Sequence, residues 1–382
     1  MNILTLNKIS KIGTDLLPNN YIVGDDVKNP DGILVRSASM HEYETPDSLL
    51  AIARAGAGVN NIPVDACAEK GIVVFNTPGA NANAVKELAV AALLLASRDI
   101  VGGIEWAKGL SGDDVAKQVE KGKSQFVGPE IMGKKLGIIG LGAIGVHVAN
   151  AGIALGMEVY GYDPYLSIQS AWSLSHHVTK ATLNDIYANC DYISIHCPLI
   201  DSTKEFINKT SIALMKDGVR ILNLARGALV HNADMAAALE SGKVAKYVTD
   251  FPDAATLEMK NVVCIPHLGA STPESEDNCA IMAVKQMREY LENGNIINSV
   301  NFPAVDLPRT GKVRLCIFHK NVPAILSNIS AQIAQENINI ANMINKSKGD
   351  YAYTVVDCDN DVSAENIKDI EAIDGIIRIR AL

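Results

Sequence analysis

The run Gly140-Leu141-Gly142-Ala143-Ile144-Gly145 is the feature that most restricts what this chain can fold into. Three glycines at that spacing are a weak signal alone, so the flanks decide. Before the run stands an apolar strand, Lys135–Ile139. After it, Ile144, Val148, Ala151 and Leu155 recur at helical spacing. In a strand–turn–helix, Gly140 permits the tight turn and Gly142 lets the backbone approach a pyrophosphate. Gly145 lets helix and strand pack closely. The helix N-terminus, with Ala143 and Ile144 in its first turn, offers free N–H groups and the positive end of its dipole to that anion. The next strand, Glu158–Tyr162, ends at Asp163. A carboxylate there accepts hydrogen bonds from ribose hydroxyls and repels a 2′-phosphate, and no Arg or Lys follows immediately to offset this. The pattern predicts a Rossmann domain that binds NAD rather than NADP.

Around this turn the chain alternates between strand-like and helix-like segments, the mark of a parallel α/β sheet. Gly32–Val35, Leu49–Ala53 and Gly71–Phe75 are apolar runs ahead of a helix at about 84–97. From Gly133 a second series begins, with strands at 135–139, 158–162, 192–196, 220–224, 247–250 and 262–265. A helix at about 275–292 follows. Asn301 to Gly311 holds two prolines and reads as a linker. Beyond it the order is βαββαβ, the ferredoxin-like arrangement. The expected fold class is α/β: two doubly wound parallel-sheet domains plus a small ferredoxin-like module.

Composition narrows the function. With 34 Lys and Arg against 43 Asp and Glu, the net charge is −9, which repels nucleic acid and acidic membranes. Seven cysteines without a CxxC pair predict a reduced intracellular protein with no structural zinc site and no bound metal. The first residues do not read as a signal peptide, and no segment is apolar enough to span a membrane. The expected setting is the cytoplasm.

Further motifs lie outside the glycine turn. They are Arg54-Ala-Gly-Ala-Gly-Val-Asn-Asn, Asn76-Thr-Pro-Gly, His196-Cys-Pro-Leu, Asn223-Leu-Ala-Arg-Gly and Pro266-His-Leu-Gly-Ala-Ser-Thr. Together they resemble the D-isomer-specific 2-hydroxyacid dehydrogenases over nearly the whole chain. The tail from Lys312 resembles an ACT domain, a small effector-binding module. The resemblance implies a discontinuous substrate domain of residues 1–95 and 283–305 around an inserted cofactor domain of 96–282. Residues 312–382 are the regulatory tail, and the assembly is a homodimer or homotetramer.

Oxidising a secondary alcohol needs a base for the hydroxyl proton and a cation for the carboxylate and the developing carbonyl. His267 and Arg226 each follow a strand end, where ligands of doubly wound sheets bind, and match the family's catalytic pair. The family also orients its histidine with a glutamate. Here the corresponding stretch, Thr249 to Ala255, has alanines instead. Asp253 is the nearest carboxylate and the first choice; Glu258 is more distant, and Asp250 matches the residue that contacts the nicotinamide amide. By the same carry-over, Thr77, His196, Cys197, Pro198, Ala225, Asp250, Gly269 and Ala270 line the cofactor site with Gly140, Gly142, Ala143, Ile144, Gly145 and Asp163. Arg54, Gly58, Val59 and Asn81 line the substrate site. Trp106 and Lys108 resemble residues that reach a neighbouring subunit's substrate phosphate, and read equally well as helix-surface residues.

In the tail, His319, Asn321 and Asn339 match residues that bind a feedback amino acid, with Ala324 where glycine is common. Serine is the expected effector, and a purely assembling module is the alternative. Within the family, the likeness points to oxidation of 3-phospho-D-glycerate to 3-phosphohydroxypyruvate, the first step of L-serine synthesis. Activity on glycerate, hydroxypyruvate or lactate is the nearest alternative, and a non-catalytic NAD-sensing binding protein is a further one.

Overall fold

The computed structural model describes all residues, Met1 to Leu382. The chain divides into two compact units, one of Met1–Ala80 with Pro273–Leu382 and one of Asn81–Thr272. These cuts fall at 80/81 and 272/273, not at the expected 95/96 and 282/283. Helix Ala82–Ser97 belongs to the cofactor unit because its apolar face (Val85, Ala89, Ala92, Leu93, Ala96) is buried in a cluster with Val146, Val148 and Ala149 of helix Ala143–Ala154. Helix Pro273–Asn293 belongs to the other unit for the same reason. It buries Ala283, Val284, Met287, Tyr290 and Leu291 against strand residues Ala51, Ala53, Val73 and Phe75.

The first unit holds a parallel sheet in the order Ile22–Gly24, Asn2–Leu6, Gly32–Val35, Ala51–Arg54, Val73–Phe75. Asn2–Leu6, which the apolar-run reading passes over, is an interior strand. Short and next to the terminus, it carries two polar residues in five. Two faces of the sheet are covered, so Ile33, Leu34 and Val35 are all fully buried.

The tail forms an antiparallel sheet ordered Ile340–Lys348, Tyr351–Cys358, Val313–Lys320, Ile376–Ala381. Helices Ile325–Gln335 and Ala364–Glu371 cover one face, burying Leu315, Ile317 and Val356 against Ile325, Ile329 and Ile370. The opposite face is covered as well. Cys316, Phe318, Tyr353 and Val355 join the core of the first sheet, with Phe318 edge-on to Phe302 at 4.6 Å and stacked on Tyr353 at 4.5 Å. The tail is therefore part of the first unit and not a separate body. The expected linker is pinned too. Phe302 and Val305 are buried, and Asn301 accepts from Val74 N–H and donates to Ile72. Its prolines set the path of the backbone, and its apolar residues bind that path to the core.

The cofactor unit holds seven parallel strands ordered Val262–Cys264, Val244–Thr249, Val219–Asn223, Tyr192–Ile195, Lys135–Ile139, Glu158–Tyr162, Thr179–Lys180. Strand order reverses between Lys135–Ile139 and Tyr192–Ile195. That reversal opens a crevice at the strand ends, the place where such sheets bind ligands. No helix of the chain is long and apolar enough to cross a membrane.

Candidate active site

The glycine turn opens at the reversal point. Gly140 has φ 94°, and a side chain there would meet the backbone of His196 and Cys197 at 2.7 Å. Gly145 is tighter still, because a Cβ would lie 1.9 Å from the Gly140 carbonyl. Gly142, at the N-terminus of helix Ala143–Ala154, is the opposite case. A Cβ there would meet nothing within 4 Å. Its lack of a side chain serves no packing inside the protein, and it leaves open the space a dinucleotide's phosphates need. Asp163 closes the turn, accepting from Leu141 N–H and Tyr165 N–H, each at 2.8 Å. Each oxygen keeps a lone pair for a ribose hydroxyl. The residues present thus fit NAD.

Beside the turn, His196 shares a hydrogen bond of 2.8 Å with the buried Ser194 hydroxyl. Desolvation pushes its pKa down to about 4, so the ring is neutral. Burial likewise pushes the Cys197 thiol up to about 11. Pro198 follows on the exposed side.

At the far side of the crevice lie the two residues expected to do chemistry. Arg226 follows strand Val219–Asn223. Buried Asn223 donates to the Arg226 carbonyl at 2.9 Å, and the guanidinium donates to the Ala225 carbonyl at 2.6 Å. His267 follows strand Val262–Cys264 with φ 39°, in the left-handed region that a histidine seldom adopts. Its N–H is held by the carbonyls of Asp250 and Ile265, both at 3.0 Å. Both side chains are exposed to solvent.

Asp250 is buried. Its Oδ2 accepts from Gly269 N–H, while Oδ1 has no partner. Burial raises its pKa, opposed by the nearby His267, the Gly269 N–H and Arg226. An unpaired buried acceptor is costly, and a ligand amide would satisfy it. Ala270 continues the same turn, partly buried.

Asp253 does not partner His267. It caps helix Ala254–Leu257, with Oδ1 accepting from Thr256 N–H at 2.8 Å and Oδ2 from the Asn232 side-chain amide at 2.7 Å. The Thr256 hydroxyl reciprocates from the other side at 2.7 Å. These bonds hold the Asp253 carboxyl below its ordinary range. Asp253-x-x-Thr256 is a capping sequence, and that local role is the one the structure shows.

What touches the His267 ring is a residue the sequence reading did not single out. The ring of Phe251 lies 4.6 Å from it, centroid to centroid, tilted by 43°. The same ring carries the Arg226 guanidinium at 5.7 Å. The aromatic directly after Asp250 was the available signal.

Other expected residues fall elsewhere. In the cofactor unit, Asn81 precedes helix Ala82–Ser97 without a capping bond from its side chain. Trp106 packs on Phe126 at 5.4 Å and fills the space left by Gly122, while Lys108 is exposed. In the first unit, Arg54 ends strand Ala51–Arg54 and donates from Nε to the Arg36 carbonyl at 3.0 Å. Gly58 and Val59 follow in the partly exposed loop. Thr77 is buried with its hydroxyl unpartnered.

In the tail, His319 is buried, with one ring nitrogen on the Lys320 carbonyl and the other on the Thr354 hydroxyl. Asn321 donates to Gly349, and Asn339 to Asp359. His319 pairs with Ala352, whereas Asn339 lies just before Ile340, which pairs with Cys358. The two therefore stand at opposite ends of the sheet and share no site within one chain. Ala324 adopts φ 65°, the conformation that the more usual glycine would hold without strain.

A glycine turn at the switch point, with an exposed cation and an imidazole after two strands that flank strand Val244–Thr249, defines an NAD-dependent dehydrogenase. Comparison with known proteins gives the family. Residues 90–269 match the NAD-binding domain of the D-isomer specific 2-hydroxyacid dehydrogenases. The chain is 33% identical over 354 residues to D-3-phosphoglycerate dehydrogenase of Haemophilus influenzae, covering 89% of this chain and 82% of that one. It is 34% identical over 349 residues to the enzyme of the same name from Escherichia coli K12, covering 88% and 82%. Among solved structures it resembles an NAD+-bound 3-phosphoglycerate dehydrogenase of Entamoeba histolytica. That match has 25% identity and TM-score 0.61, covering 79% of this chain and 98% of that one. The chain belongs to the D-isomer-specific 2-hydroxyacid dehydrogenases.

Proposed function

We propose that this enzyme oxidises 3-phospho-D-glycerate to 3-phosphohydroxypyruvate, the first step of L-serine synthesis. The observation that carries the substrate is the likeness to relatives of that name across nearly nine-tenths of the chain. Bound NAD supplies the hydride acceptor. His267 takes the hydroxyl proton as the carbon–hydrogen bond breaks, and returns it in the reverse reaction. Arg226 holds the substrate carboxylate with its planar fork and stabilises charge on the oxygen as the carbonyl forms. The orphan Asp250 Oδ1 would hold the nicotinamide amide of bound NAD as a hydrogen-bond acceptor.

The assay is NADH production with 3-phosphoglycerate beside glycerate and lactate. A preference for 3-phosphoglycerate in kcat/KM supports the reading, and equal or greater activity with an unphosphorylated acid refutes it. We assign the tail a regulatory role toward serine, in a homo-oligomer that brings His319 and Asn321 of one copy near Asn339 of another. Titration calorimetry showing no serine binding would leave the tail an assembling module.

A further inference from the structure

We propose that Phe251 is the positioning residue for both catalytic side chains, taking over the work that a carboxylate partner of His267 would do. The proposal rests on the reading of Arg226 and His267 given above. The candidate carboxylate, Asp253, spends both oxygens on Thr256 and Asn232. Asp250 holds Gly269 N–H with one oxygen and turns the other into a buried site. Yet an exposed imidazole at a strand end needs something to restrict its rotation. The Phe251 ring does this by contact, at 4.6 Å from the imidazole.

The same ring lies against Arg226, its centroid 5.7 Å from the guanidinium carbon. One aromatic ring therefore sets the separation of base and cation, the two groups that must meet one substrate carbon from two directions. The backbone that carries the ring is itself held. Phe251 N–H donates to the Thr249 hydroxyl at 3.1 Å, and Thr249 is fully buried. On the Arg226 side stands Gly227, where a Cβ would already touch the Phe251 Cβ at 3.4 Å. The Phe251 backbone is thus anchored to a buried strand residue and passes close to the loop that carries Arg226.

An aromatic platform also differs chemically from a carboxylate. Its negative face favours imidazolium and guanidinium without a full charge. It stabilises the protonated histidine that forms during oxidation, and it does not neutralise Arg226.

The test compares Phe251→Leu, Phe251→Met and Phe251→Tyr in the full-length enzyme, with His267→Asn and Arg226→Gln alongside. Steady-state kinetics are read across pH, with NAD affinity and Tm measured for each variant. The expected result is a loss of kcat/KM of about 10- to 100-fold for Leu and Met. NAD affinity should be unchanged, and the acid limb of the profile should move to lower pH as the imidazolium loses its platform. Tyr should restore both rate and limb. Met serves if Leu does not fold. A wild-type rate and limb in the folded aliphatic variant overturns the proposal. So does a loss in Tyr equal to that in Leu, or a loss of rate with the limb unmoved, since each marks a merely structural ring. Full activity in His267→Asn or Arg226→Gln would instead refute the underlying assignment of the pair, and Phe251 with it.

Discussion

Arg314 and Asp357 face each other through two hydrogen bonds, Nε to Oδ1 at 2.6 Å and Nη2 to Oδ2 at 2.8 Å, with neither side chain exposed. The third arm of the guanidinium donates to the carbonyls of Asn293 and Leu307, both at 2.9 Å. One side chain on the tail thus ties together the end of the long helix, the connecting segment and the neighbouring tail strand. Tyr353 adds a hydroxyl bond to the Gly294 carbonyl, and Arg378 donates to the carbonyls of Asp47 and Leu49. Removing one member of a buried pair leaves the other charge uncompensated, at about 3–5 kcal/mol. Arg314→Met should therefore lower the unfolding free energy of the first unit by about that amount. Denaturant unfolding would measure it, and a loss below about 1 kcal/mol would mean the pair only replaces solvent contacts.

Asp253 offers a cleaner separation of stability from catalysis. Its oxygens cap helix Ala254–Leu257 and meet Asn232, so Asp253→Ala should cost about 1 kcal/mol in stability. It should leave kcat and the pH profile close to wild type. A large fall in kcat with Tm preserved would return Asp253 to the catalytic machinery.

The two glycines of the turn should fail in different ways. Gly145→Ala places a methyl 1.9 Å from the Gly140 carbonyl, so the turn itself must move and Tm should fall. Gly142→Ala meets nothing in the protein, so Tm should hold. Its methyl occupies the phosphate space, and KM for NAD should rise at least about tenfold, worth ~1.4 kcal/mol. Thermal melts and NAD titrations on both variants check the contrast. Equal NAD affinity in Gly142→Ala and wild type would move the pyrophosphate elsewhere.

How far such features can be read in advance depends on how local they are. Gly140 to Gly145 and Asp163 are legible because strand, turn and acid lie within one short βαβ segment, and each residue type answers a backbone requirement. Arg226 and His267 are legible by resemblance, since each stands directly after its strand. The contact of Phe251 with both is not, because it is made by loops that meet only in the folded sheet. Asp253 is the converse case, a helix cap in the structure. Nearness along the chain points to catalysis, while Asp253-x-x-Thr256 spells a helix cap. The tail's ferredoxin-like order follows from alternation. Its fusion to the first sheet does not, because the inward face of Phe318, Tyr353 and Val355 has the same period as any half-buried strand.

His196 ties the cofactor crevice to acid stability. Its folded pKa is about 4 because burial disfavours the charged ring, whereas an unfolded histidine titrates near its ordinary value of about 6.5. Above about 6.5 both states are neutral and the residue has no effect on the balance. As pH falls from about 6.5 to about 4, the unfolded chain takes up a proton that the native chain refuses. Stability then declines by up to about 1.4 kcal/mol per pH unit. Below about 4 both states are protonated and the slope from this group vanishes. Replacing the ring with a side chain that keeps a partner for Ser194 but cannot titrate, as in His196→Gln, should flatten the curve in that window alone. Denaturation midpoints collected from pH 7 to pH 4 on both proteins would show it. An unchanged slope would mean that the ring gains its proton in the native state, with water reaching the crevice behind the glycine turn.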